Sequence, residues 1–202
     1  WQKAFDLLKE RGAAVLEKDG KNTGCWVMPL KQGEAFAGVD DSDKVLVRPL
    51  RRKQLAQEAA VMLEIFNDAW ANNWGFVPLA HDEFLDTVKT LTRLMPDDYV
   101  QIAEYEGKPV AFIVALPNIN EATRDLGGKL LPFGWAKLLW RLKVRHPRTA
   151  RVPLMGVRQE FQHSRLGPTL AFTVIDAVRK AVHARNVTDV EMGWVLEDNE
   201  GM

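Results

Sequence analysis

Residues 152–186 place a strand, a short loop and a helix in immediate succession: VPLMGV (152–157), QEFQHSRLG (159–167) and PTLAFTVIDAVRKAVHARN (168–186). A helix N-terminus carries unpaired N–H groups and a partial positive charge. A loop that delivers the chain from a strand end into such a terminus therefore suits a pyrophosphate. The loop residues that would meet it are Gln162, His163, Ser164, Arg165, Leu166 and Gly167. Arg165 could set a cation beside a phosphate, although a non-glycine residue is strained there if the position needs positive φ. His163 and Ser164 are adjacent in a loop and make no catalytic triad by themselves. Pro168 stands at the predicted first helical position, where its missing N–H costs nothing.

Other chemistries are narrowed by composition. The 202 residues are 47% hydrophobic and 27% charged, with 27 Lys+Arg against 27 Asp+Glu. Zero net charge argues against a broad nucleic-acid surface, and no nucleic-acid partner is expected. The single cysteine, Cys25, cannot form an internal disulfide, so a reducing compartment, the cytoplasm, is the expectation. His81, His146, His163 and His183 show no metal-ligand spacing, and no metal is expected. No apolar run is long enough to span a bilayer. Gly-x-x-x-x-Gly-Lys-Ser/Thr and Gly-x-Ser-x-Gly are both absent, which removes P-loop kinases and elbow-type serine hydrolases.

The elements that must position the loop follow from periodicity. A helix is expected over 2–11, short strands over 13–17 and 24–30, and a Gly/Asp/Ser linker over 31–44 with a boundary near residue 43. A strand at 44–50 leads into a helix over 52–73, whose apolar stripe is Leu55, Ala59, Met62, Leu63, Phe66 and Trp70. A second helix covers 80–94, with Phe84, Val88 and Leu91 on one face. Strands 99–105 and 110–117 form a hairpin about EGKP. Residues 118–129 read as polar loop, 132–145 as an apolar helix, and 188–196 as a strand. In that strand Glu191 shares a face with Gly193 and Val195. The chain opens at Trp1 inside a predicted helix and closes at Met202 where another would begin, so both ends are expected to be cuts in a longer frame.

This order, with Gln162 and Gly167 in the Gln-x-x-Gly-x-Gly positions, resembles the GNAT superfamily of acyl-CoA-dependent N-acyltransferases. Arg165 replaces the first glycine of that signature. NDAWANNWGFVP (67–78), ALPNINEA (115–122), LLPFGW (130–135) and GWVLEDN (193–199) look like a bacterial branch with two GNAT-like halves. The resemblance covers about residues 45–202. It implies an α/β (α+β) fold with a mixed, mostly antiparallel sheet, helices on both faces and the C-terminal strands missing. Residues 1–43 would be the remnant of a preceding half plus linker, and 44–202 the acyltransferase domain.

The resemblance further implies acetyl-CoA or another acyl-CoA as cofactor and a small-molecule amine as acceptor. Backbone groups of Met155, Gly156 and Val157 would face the thioester carbonyl, where N–H donors stabilise an oxyanion. Asn199 matches an Asn that often opens the next helix. The amine must lose a proton to attack, and Glu191 is the one acid inside the last strand available as general base; the favoured reading of Glu191 is nonetheless a solvent-facing strand residue. Asn72, Asn73, Trp74, Asn118 and Asn120, with Phe133 and Trp135, are the candidate substrate-binding residues. Asn also caps helices and fills turns, and Trp74 could pack the core.

Two further readings stand beside acyl transfer. One is a non-catalytic GNAT-like interaction module, which Arg165 favours. The other concerns helix 132–145, where Lys137, Arg141 and Arg145 line up against Phe133, Trp135, Leu138, Leu139, Trp140 and Leu142. That pattern suits a helix packed on the sheet, a lid over an acyl chain, or contact with a membrane surface.

Overall fold

The computed structural model describes residues 45–193 except 74 and 165, together with residues 15–16 and 26–27. Strands β1 (Val15–Leu16) and β2 (Trp26–Val27) pair antiparallel, with Val15 opposite Val27, inside the spans expected for them. The helix expected over 2–11 and the linker over 31–44 lie outside the described residues.

Residues 43–194 form a compact unit of their own. Its sheet has five strands in the order β3–β4–β5–β6–β7: Val45–Pro49, Val100–Tyr105, Lys108–Pro117, Thr149–Val157 and Asp189–Met192. The first four are antiparallel to their neighbours, and β7 runs parallel to β6. Parallel neighbours need a crossover, which helix α6 (Leu166–His183) supplies. The sheet is mixed and mostly antiparallel, the α/β arrangement expected from the sequence.

The hairpin between β4 and β5 turns on Glu106 and Gly107, whose φ values are 51° and 77°. Two consecutive positive φ angles match the right-handed twist of the flanking strands. In β5 every residue from Val110 to Ala115 is buried, as expected of a strand covered on both faces. Helix α1 (Leu55–Trp70) packs on β5 and β6, with helix α2 (His81–Leu94) against it, and α6 packs on β4 and β5. The stripe on α1 is as read from the sequence, with Ile65 and Glu58 buried in addition. Buried Glu58 accepts hydrogen bonds from Arg48 Nη1 and Nη2, at 2.7 and 3.0 Å, so its charge is paired.

Three elements differ from expectation. The 118–129 loop contains a short helix, α3 (Ile119–Thr123), started by the Asn118 side chain, which accepts from the Asn120 and Glu121 N–H groups. The 159–167 loop contains α5 (Gln159–Gln162). The helix expected over 132–145 is regular only over α4 (Gly134–Trp140) and closes in a π-helical turn, Arg141–Arg145. No α4 residue is buried, and Leu142 in the π turn is the buried anchor. The reading of this segment as an amphipathic helix packed by its apolar face is therefore corrected. Polar groups hold it instead: Arg141 and Lys137 both pair with Asp125, and Arg141 Nη1 donates to the Ala122 oxygen at 2.8 Å.

Candidate functional site

The site is built around the second half of β6. Strand β6 pairs with β5 from Ala150 to Val157. Its ladder with β7 covers only Thr149–Val152 against Asp189–Met192, closed by Gly193 N–H donating to the Val152 oxygen at 3.2 Å. The next residue, Pro153, has no N–H to offer, and it sits where the register with β5 shifts. From Pro153 to Val157 the far edge of β6 has no strand partner among the described residues.

Alternation along β6 shows which groups occupy that open edge. The Arg158 N–H donates to the Val110 oxygen of β5 at 2.9 Å. The polar groups of Val157 and Met155 then turn to the opposite edge. Both carbonyls there are occupied: Trp70 Nε1 donates to the Met155 oxygen at 3.1 Å, and Gln162 Nε2 to the Val157 oxygen at 2.8 Å. What the edge presents is the pair of N–H donors of Met155 and Val157.

The same two side chains tie α1 to this end of β6. Gln162 Nε2 also reaches the Ala69 oxygen at 3.2 Å, and Asp68 Oδ2 accepts from the Gln159 N–H at 2.8 Å. Gly156 is buried against α1; a Cβ there would lie 3.1 Å from the Phe112 ring and 3.3 Å from the Ala69 methyl. Gln162, picked out by the motif as a cofactor-loop residue, thus has its amide nitrogen engaged by protein carbonyls. Trp70 and Asp68 were not among the expected site residues. Their signal in the sequence is a polar Asp and an indole N–H at the end of an otherwise apolar stripe.

The loop into α6 is equally built by its own residues. Ser164 Oγ accepts from the Leu166 N–H at 3.2 Å and donates to the Phe161 oxygen at 2.8 Å, so it caps the helix. Gly167 is buried, and a Cβ there would fall 2.4 Å from the Phe161 oxygen. Glycine is demanded by close approach, because its φ is not in the positive region. His163 is exposed and Leu166 packs against the core. Arg165, Trp74 and Asn199 lie outside the described residues. Pro168 is the third residue of α6 and not the first, still within the turn whose N–H groups have no helical partner.

Of the remaining expected site residues that are described, only Asn72 and Asn73 come near the opening. Glu191 stands opposite Arg151 in the β6–β7 ladder, paired through Arg151 Nη2 at 3.0 Å, with 65% of its side chain exposed. Four residues of strand separate Arg151 from Met155, ~13 Å at ~3.3 Å per residue. The amide cluster is split. Asn72 and Asn73 follow Trp70, beside Met155, with Asn73 N–H donating to the Trp70 oxygen at 2.9 Å. Asn118 instead ties to the start of β6, its Nδ2 donating to Thr149 Oγ1 at 2.8 Å, and Asn120 lies in the helix it caps. Six residues of extended strand put ~20 Å between the two groups. Phe133 and Trp135 belong to the segment docked on Asp125 and Ala122, and both are exposed. The expectation of a single substrate-binding set is corrected to two groups at opposite ends of β6.

Among the described residues no cluster of His, Cys, Asp or Glu could hold a metal, and no helix is long and apolar enough to cross a membrane.

The strand order, the parallel crossover through α6 and the one-sided opening of β6 agree with the arrangement that the GNAT resemblance implies. The relatives extend the picture. Over 159 residues the chain is 54% identical to protein YghO of Escherichia coli K12, covering 79% of this chain and 41% of that protein. Over 158 residues it is 44% identical to the bacterial ceramide synthase of Caulobacter vibrioides, covering 78% and 41%. The chain spans about two fifths of the length of these curated relatives. No family model matches it. Similar solved structures include an aminoglycoside acetyltransferase from an uncultured soil metagenomic sample, with TM-score 0.49 and 11% identity over 79% of this chain and 84% of that one. Another is Ard1 from Thermoplasma volcanium, with TM-score 0.48 and 16% identity over 78% and 76%.

Proposed function

We propose that this chain carries the acyl-CoA site of an N-acyltransferase that acts on the primary amine of a long-chain amino alcohol, forming the amide bond of a ceramide. The observation that carries the reading is the open edge of β6, where the Met155 and Val157 N–H groups stand without their carbonyls. The substrate class rests on the 44% identity to the Caulobacter ceramide synthase. We place the reaction in the cytoplasm.

In this reading the amine nitrogen attacks the thioester carbon of acyl-CoA. The carbonyl oxygen becomes an oxyanion facing the two N–H donors, a type of contact whose loss costs ~2.7–4 kcal/mol in acyl transfer. The C–N bond forms, the C–S bond breaks, the amine gives up a proton, and CoA leaves as the thiol. The first turn of α6 meets the pyrophosphate through its N–H groups. Gln162 and Ser164 act by holding β6, α1 and the helix start in register, and the acceptor approaches beside Asn72 and Asn73.

The test has two arms on the full-length protein. Thermal unfolding with CoA and acyl-CoAs should show a raised midpoint at ~100 times the dissociation constant, where binding adds about 2.7 kcal/mol. Thiol release from a long-chain acyl-CoA should depend on a long-chain amino alcohol and yield its N-acyl product. A folded protein with no thermal shift and no thiol release would refute the reading.

A further inference from the structure

The face formed by residues 129–145 is inside-out relative to an ordinary surface helix. Leu131 and Phe133 are 80% and 78% exposed, Val144 is 64% exposed, and Trp135 and Trp140 are each 51% exposed. Single exposed apolar side chains are unremarkable, but a contiguous run of large ones marks an interaction surface. The docking of this segment by Arg141, Lys137 and Leu142 leaves that run turned outward.

Charge indicates what covers it. From residue 126 to residue 159 the sequence holds no Asp or Glu, while Lys129, Lys137, Arg141, Lys143, Arg145 and Arg148 all fall within it. Lys137 and Arg141 share the single carboxylate of Asp125, which offsets one of their two charges. Lys129, Lys143 and Arg145 have no carboxylate partner among the described residues, and all three are exposed. Trp135 already donates its indole N–H to the Pro132 oxygen at 3.1 Å, so its ring can enter an apolar phase without orphaning a donor. Exposed aromatic rings interleaved with unpaired cations are the two components of binding in the plane of a bilayer interface.

We propose that residues 129–145 dock this domain on an anionic phospholipid bilayer, with Leu131, Phe133, Trp140 and Val144 entering the acyl boundary and Lys129, Lys143 and Arg145 meeting the headgroups. The proposal does not depend on acyl transfer. A second copy of the chain or a protein partner would need acidic groups facing this basic face, whereas an anionic membrane supplies them everywhere.

The experiment is flotation of the full-length protein with vesicles of phosphatidylcholine alone and of phosphatidylcholine mixed with phosphatidylglycerol. The protein should float with the mixed vesicles, less in high salt, and weakly with phosphatidylcholine alone. The Lys143→Glu/Arg145→Glu variant should lower the partition coefficient more than tenfold, at roughly fivefold per surface cation. Phe133→Ser/Trp140→Ser should abolish flotation. Both pairs are exposed, so thermal midpoints should stay at the wild-type value. Failure of the wild type to float, or wild-type flotation in both variants, would overturn the proposal. So would a concentration-dependent dimer that Phe133→Ser/Trp140→Ser converts to monomer. Flotation involves no CoA, so its outcome is independent of the thermal-shift and thiol-release results.

Discussion

The indole nitrogen of Trp70 donates to the main-chain oxygen of Met155 across 85 positions of sequence, at 3.1 Å. This bond fixes the end of α1 on the open edge of β6 and removes a carbonyl from it. Trp70→Phe keeps the ring contact with Phe66, whose centroid lies 5.6 Å away, and deletes the donor. The expected loss is about 1 kcal/mol in unfolding free energy. The freed carbonyl now faces the opening, so the CoA-induced thermal shift should fall by more than the stability loss accounts for. Urea denaturation with and without CoA measures both.

Gly167 tests how closely α5 and α6 must approach. The added methyl of Gly167→Ala would meet the Phe161 oxygen at 2.4 Å, a backbone atom that cannot swing away. A displaced turn should cost about 1–3 kcal/mol. The start of α6 would also move, weakening CoA binding. Gly156→Ala provides a milder contrast: its nearest neighbours, the Phe112 ring at 3.1 Å and the Ala69 methyl at 3.3 Å, need shift by only a few tenths of an ångström.

Tyr99 is fully buried, and its hydroxyl has no hydrogen-bond partner among the described residues. Burial pushes its pKa up to about 12, opposed by the Arg185 charge. Between pH ~10 and ~12 the unfolded tyrosine has lost its proton while the folded one keeps it. The unfolded state then binds fewer protons, and stability falls as pH rises through that window. Tyr99→Phe should remove this part of the alkaline limb. At neutral pH it should be neutral or slightly stabilising, because it deletes an unsatisfied polar atom. Urea midpoints at neutral and alkaline pH give the answer.

Glu191→Gln separates two roles. As an exposed partner of Arg151 the side chain contributes ~0–1 kcal/mol, so stability should scarcely change. As a general base its loss would lower kcat by ~10²–10⁴-fold. The position of Glu191, opposite Arg151 and away from Met155, predicts the first outcome with kcat retained.

Local patterns in the sequence carried most of the fold. Ala59, Met62, Leu63 and Phe66 lie on the face of α1 that meets the sheet, because a 3.6-residue period needs no knowledge of distant partners. The Glu106–Gly107 turn and the strands around it were legible for the same reason. The candidate loop was legible as a motif, but the reasons for its residues were not. Gly167 answers to a backbone oxygen six positions earlier, Gln162 to carbonyls at Ala69 and Val157, and Ser164 to the helix it caps. The amide cluster was misread because Asn72 and Asn118 look alike as residue types, whereas the strand between them has a length. The outward turn of Phe133 and Trp140 was likewise decided by tertiary structure. A periodic apolar face says that a surface exists, but whether it meets the core depends on what docks the helix, and here Asp125 and the Ala122 oxygen hold its polar side. Periodicity is encoded residue by residue along the chain. The spacing between elements, and the groups left unpaired where two strands part, come into being only when distant segments meet.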